Sequence, residues 1–303
     1  MTVLPRIGVQ LPYPQSRTTP TPAATLALAK AIEDAGFDGC AVADHPFPLV
    51  EADGATVHHT MDPFVQLAAI AAVTSRLRLI TMAAVLPYRN PFLTAKAAAS
   101  LDHLAGGRLI LGGATGYHEP EFHALGADFA RRNELTDEAI EAIKAAWTGQ
   151  PVHAHVAGRQ VRGNLMRPAP SAGARPPIWM CGNSDRAMRR AVRSCDGWAP
   201  YEAEAPVAAA TRTSAFTAET LPERLRQVRR LLEESGRGAD RFDICVLRAR
   251  FDWEAPPAAI RAELASLADN GVSWVLVRLP RRLDPAAATG AVGRMSTLLA
   301  AAR

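Results

Sequence analysis

An aspartate and a histidine, Asp44 and His45, stand side by side where the apolar run GCAVA (39–43) ends. Histidine can give or take a proton near neutral pH, and a neighbouring carboxylate can orient its ring, so the pair suits a proton-transfer step. A helix-cap aspartate beside an exposed histidine would read the same way. Further on, the apolar run ending at Cys181 passes through Gly182-Asn183-Ser184 into a helical pattern. Glycine, then Asn and Ser at a helix start offer bare backbone N–H groups and a hydroxyl, the groups that seat a phosphate, although an ordinary strand-to-helix turn wants the same residues. Gly112-Gly113-Ala114-Thr115-Gly116 is another small-residue strand end, and Met82-Ala83-Ala84-Val85 an apolar one. In Asp196-Gly197-Trp198 the indole could line a pocket or plug the interior.

Other chemistries lack their residues. His118-Glu119-Pro120-Glu121-Phe122-His123 has the look of a zinc-binding helix, but its histidines are five apart and Pro120 lies between them. Five residues turn about 140° away from one helix face, so shared ligation is poor and no metal is expected. The chain has no GxGxxG after its first strand, no Gly-Lys-Ser/Thr and no GxSxG, which removes the dinucleotide fingerprint, the P-loop and the hydrolase nucleophile elbow. Cys40, Cys181, Cys195 and Cys245 form no CxxC and read as free structural thiols of a reducing compartment.

The elements that must hold these residues alternate. Strands are expected at 6–11, 39–43, 77–86, 108–112, 178–181, 197–199, 242–250 and 272–279. Helices are expected at 22–35, 62–73, 91–104, 133–147, 185–194, 222–235, 257–270 and 285–302. Thr21-Pro22, Asp62-Pro63 and Asn90-Pro91 pair a capping side chain with a proline in the first turn. Gly149 to Pro170 breaks the alternation and reads as an insertion, such as a hairpin. Eight strand–helix pairs favour a single-domain (β/α)8 TIM barrel over 1–303, and put functional groups at the C-terminal strand ends. The 303 residues are 48% hydrophobic, with Lys+Arg 34 against Asp+Glu 30 for a net charge of +4. That composition excludes disorder, and the longest apolar stretches are far too short to span a membrane. No signal pattern opens the chain, so a cytoplasmic protein is expected. Only three lysines occur and the arginines are scattered, which argues against a nucleic-acid surface.

Several blocks together resemble the bacterial luciferase-like superfamily of flavin- and deazaflavin-dependent oxidoreductases. They are GVQLP (8–12), AIEDAGFDGCAVADH (31–45), LPYRNPFLTAKAAASLDHLAGGRLILGGATG (86–116), EFHALG (121–126), RRNELTDEAIEAIKAAW (131–147) and PPIWMCGNSDRAMRRAVRSCDGW (176–198), with weaker barrel ends to about residue 280. The resemblance implies a cofactor ring across the C-terminal mouth, with insertions covering it. It implies His45 as the active-site histidine with Asp44 beside it, and a non-proline cis bond at Met82-Ala83 against the back of the ring. Thr115 and Gly116 match cofactor contacts and Gly182, Asn183 and Ser184 the phosphate turn; Trp198, at the end of the last block, is taken with them as a cofactor-binding candidate. Two positions depart from the pattern: Cys181 stands where relatives often have a second glycine, and Thr115 where luciferase has a phosphate-binding arginine.

The block RRAVRSCDGW, with GNS before it, looks most like the branch that uses coenzyme F420. The implied function is hydride transfer between the deazaflavin and a small organic substrate, His45 moving the accompanying proton and Asp44 orienting it. One alternative is an FMN-dependent monooxygenase that draws reduced flavin from a separate reductase; another is a non-catalytic ligand-binding barrel. The segments 45–61, with surface histidines His58 and His59, and 199–218 are expected to cover the substrate. A homodimer is a family expectation.

Overall fold

A computed structural model describes residues 3–12, 21–49, 60–170, 175–238, 240–249, 251–252, 255–279, 289–293 and 296. The expected loop histidines His58 and His59, and most of the expected last helix, lie outside these residues; 289–293 is helical.

Eight parallel strands close on themselves in chain order. They are β1 (Arg6–Gln10), β2 (Gly39–Val42), β3 (Arg78–Thr81) with its continuation β4 (Ala84–Val85), and β5 (Leu109–Ala114). An antiparallel hairpin, β6 (Val152–Val156) and β7 (Arg159–Asn164), intervenes before β8 (Ile178–Cys181), β9 (Gly197–Ala199), β10 (Asp243–Arg248) and β11 (Trp274–Arg278). Each strand pairs with the next around the ring, β3 joins β5 through Leu79–Leu109 and Ile80–Ile110, and β11 closes on β1 from Arg6–Trp274 to Gln10–Arg278. The architecture is a (β/α)8 barrel.

Between the strands run α1 (Pro22–Asp34), α2 (Pro63–Val73), α3 (Pro91–Leu104), α4 (Glu119–Ala124), α5 (Arg132–Trp147), α6 (Asp185–Ser194), α7 (Ala205–Ala210), α8 (Leu221–Glu234) and α9 (Pro257–Asp269). Thr21, Asp62, Asn90 and Ser184 cap α1, α2, α3 and α6 by accepting first-turn N–H groups, as their sequence positions imply. The short α4 and α7 are additions to the expected set. The expected strand 77–86 is broken: it passes through Met82-Ala83 and ends in a 3-10 turn at Leu86–Tyr88.

Strand side chains alternate between two cores. Cys40, Val42, Ile178, Met180 and Trp198 face the outer layer with the helices, whereas Ala41, Trp179, Cys181, Ala199, Cys245, Trp274 and Leu276 fill the barrel interior. Trp179 and Trp274 meet edge to face inside, their ring centroids 5.7 Å apart. Their bulk needs a gap opposite: a Cβ on Gly197 would sit 2.5 Å from the Trp179 ring. At the opposite, N-terminal end of the barrel, buried Glu33 of α1 accepts backbone N–H groups of Ser75, Arg76 and Leu77, tying α1 to the lead into β3.

Candidate active site

The strand C-termini surround a cleft of about 470 Å³. Asp44, His45, Met82, Ala83, Thr115, Gly116, Gly182 and Ser184 line it, so residues from β2, β3, β5 and β8 meet there as the sequence implies. Asn183 and Trp198 do not line it.

One wall is backbone. The Met82–Ala83 peptide is cis, at the expected position. Met82 N–H donates to Val42 O at 2.6 Å, and the buried Gln10 amide donates to Met82 O at 3.4 Å. Gly116, with φ +80°, has no room for a side chain, because a Cβ there would lie 2.6 Å from Val85 and 2.9 Å from the buried Phe122 ring.

His45, the expected proton-transfer residue, does not pair with its neighbour. His45 Nδ1 lies 3.2 Å from Glu121 Oε2, and its backbone N–H donates to Thr60 Oγ1 at 2.8 Å. The Asp44 side chain goes elsewhere: it accepts from Arg89 Nη2 at 2.9 Å and from Val85 N–H at 3.1 Å. This corrects the expectation that Asp44 orients His45. Consecutive residues leaving a strand point to opposite sides, so adjacency in sequence separates the two side chains. Asp44 instead ties the segment after the cis bond to Arg89. Burial raises its carboxyl pKa, and the Arg89 guanidinium only partly opposes the rise.

Glu121, fully buried on α4, is the residue that sequence reasoning missed. Its two oxygens take His45, the Tyr88 hydroxyl at 3.0 Å and the Phe47 N–H at 2.9 Å. Burial alone would raise its pKa, but the hydrogen bonds from His45, Phe47 and Tyr88 more than offset this, and the carboxyl is held below its ordinary range. The same burial, with Glu121 beside it, pushes the Tyr88 phenol well above its usual value. His118 Nδ1 is 3.8 Å from Glu121, and His123 is exposed. Among the described residues no cluster of His, Cys, Asp or Glu could hold a metal.

The turn from β8 into α6 forms another part of the cleft wall. Gly182 turns the chain at φ +131°, a region that side chains rarely adopt, and leads into α6. Ser184 Oγ accepts Ala187 N–H at 3.2 Å, which leaves the N–H groups of Ser184, Asp185 and Arg186 as the orphan donors of the first turn. Asn183 and Trp198 brace this turn from behind, which corrects their expected cofactor contact. The Asn183 amide donates to Tyr201 O at 2.8 Å and Ser214 O at 3.1 Å, and Trp198 Nε1 donates to Gly182 O at 2.8 Å. Trp198 faces outward because its strand neighbours Gly197 and Ala199 take the inward positions. Where Thr115 lacks the arginine of luciferase, Arg190 of α6 arrives from the side and donates to Thr115 Oγ1 at 3.1 Å.

The (β/α)8 barrel thus opens at its strand C-termini into a cleft walled in part by the His45–Glu121 pair and in part by the start of α6. The family description "Luciferase-like monooxygenase" matches residues 1–295. An uncharacterized protein of Mycobacterium tuberculosis is 32% identical over 272 residues, covering 85% of this chain and 86% of its own. An F420-dependent hydroxymycolic acid dehydrogenase from the same species is 30% identical over 195 residues, covering 63% of this chain and 51% of its own. The crystal structure of a monooxygenase from Streptomyces bottropensis superposes with a TM-score of 0.76 at 18% identity, over 97% of this chain and 98% of that one. The chain belongs to the luciferase-like monooxygenase family and is an oxidoreductase, in a group whose members include F420-dependent and monooxygenase enzymes.

Proposed function

We propose that the protein is an F420-dependent oxidoreductase that moves a hydride between the deazaflavin and a carbonyl or alcohol carbon of a small organic substrate. The observation that carries this reading is the His45–Glu121 pair on the wall of the cleft. Adding a hydride to a carbonyl carbon leaves an oxygen that needs one proton, and the reverse reaction must remove one. The cofactor, when bound, supplies or accepts the hydride. This chain's residues do the rest. Glu121 takes Nδ1 and fixes the ring, which assigns proton exchange with the substrate oxygen to Nε2. An imidazolium formed there is stabilised by the buried carboxylate. The backbone at Met82 and Ala83 supports one face of a flat ring, and the α6 N-terminus with Ser184 receives the phosphate. The F420-dependent relative supports the reading.

An FMN-dependent monooxygenase is the second reading, favoured by the family description and the monooxygenase relatives. Calorimetric titration with F420 and FMN side by side separates them. F420 is expected to bind more tightly, and tighter FMN binding overturns the first reading. With a substrate identified, His45→Ala is expected to lower kcat by about 10²- to 10⁴-fold while cofactor affinity holds; full activity would remove His45 from the mechanism. A cytoplasmic homodimer without membrane or nucleic-acid partners completes the proposal, and no helix among the described residues is long and apolar enough to cross a membrane.

A further inference from the structure

Beside the cleft lies a second cavity of about 270 Å³, lined by Arg186, Arg189, Arg190, Arg193 and Asp137. Arg186 and Arg190 belong to both walls, so the two spaces adjoin. Arg189, Arg190 and Arg193 stand three, four and seven residues along α6 from Arg186, on one helix face. Like charges at such spacings oppose one another, and the cavity offers them one carboxylate. That carboxylate is already shared, because Asp137 Oδ1 takes Arg190 Nε at 2.7 Å and Arg193 Nη2 at 2.6 Å. Among the described residues the other ion pair of α6 joins Asp185 to Arg224, and no ion pair uses Arg186 or Arg189.

Arg186, Arg189 and Arg193 are exposed, and Arg190 anchors the row from within. It is only 2% exposed and is fixed by Asp137, Asn133 O and Thr115 Oγ1. A guanidinium has five N–H donors, and these contacts use Nε, both Nη2 positions and one Nη1, leaving an Nη1 hydrogen unmatched on a buried side chain that lines both cavities. An anion would relieve both the charge crowding and the unmatched donor. Arginine's planar fork favours carboxylate or phosphate oxygens. From Arg186 to Arg193 the helix rises about 10 Å, the reach of a short acidic chain and more than one phosphate needs.

We infer that the α6 cavity is a second anion subsite that takes carboxylates carried by the cleft ligand beyond its phosphate. This rests on the F420 reading, because F420 bears an oligoglutamate tail past its phosphate and FMN ends there. The test is calorimetry on the full chain with F420 bearing several glutamates and with the same deazaflavin phosphodiester lacking them, at low and raised salt. The variant is the double substitution Arg189→Ala with Arg193→Ala, at positions outside the cleft wall, and its thermal melt serves as the folding control. The wild-type chain is expected to bind the tailed form about tenfold more tightly, with the gap shrinking in salt and closing in the variant. Equal wild-type affinity for the two forms, or a variant that weakens both alike, overturns the subsite and leaves the cofactor reading standing. Binding of FMN with neither deazaflavin form overturns both.

Discussion

Glu121 decides what His45 can do. The two residues are 76 positions apart in sequence, and only the fold of α4 over the end of β2 brings them to 3.2 Å. Glu121 lay within the EFHALG block, but nothing in its spacing linked it to His45. Asp44 offered a false partner because it is adjacent. Gln at position 121 keeps an acceptor for Nδ1 and removes the charge. Glu121→Gln is therefore expected to keep the ring oriented but to lose the charge beside it, lowering kcat with KM little changed. Glu121→Ala should lose the ring's orientation as well and lower kcat at every pH. The kcat and KM of both variants, with thermal melts alongside, check this: a merely structural glutamate would lower stability and leave the kcat of the folded protein unchanged.

At the scale of elements, the strand and helix alternation was legible because the caps were written out. Thr21-Pro22, Asp62-Pro63 and Asn90-Pro91 each mark a helix start that the structure carries. The six-residue helices α4 and α7 were not legible, since so short a helix shows less than two turns of periodicity. Nor was the facing of Trp198, because a three-residue strand gives almost no alternation to read. The contact that ties α1 to β3 makes a pH prediction. Burial acts to raise the Glu33 pKa, but backbone N–H groups of Arg76, Ser75 and Leu77 outweigh it, and the net value lies below the model-compound 4.5. A carboxyl with a depressed folded pKa stabilises above its unfolded pKa, and the contribution is lost as pH falls through the folded value. Glu33→Gln is therefore expected to lower the urea midpoint at neutral pH, with the difference from the unsubstituted chain shrinking below about pH 4. Urea titrations at neutral and acid pH would expose an error as a pH-independent difference.

The whole molecule separates a closed barrel from what is added to it. The β6–β7 hairpin pairs only with itself and leans on α5 through the buried Val152, Val156 and Val161 and the Ala157 N–H bond to Glu138. Replacing residues 151–168 with a short Gly/Ser linker is expected to cost about 1–3 kcal/mol of stability through lost apolar burial, and to leave cofactor affinity within about twofold. Denaturant titration and calorimetry check the two halves of that expectation. The barrel interior has a consequence of its own. Trp179 sits one inward position before Cys181, which lines the cleft, and neither Trp179 nor Trp274 finds a partner for its indole N–H among the described residues. Indole emission is broad, and its longer-wavelength part overlaps the absorption of flavin and deazaflavin rings. The chain thus carries its own optical gauge: excited with ultraviolet light, the barrel should dim as a ring settles over it, through energy transfer, with no label attached.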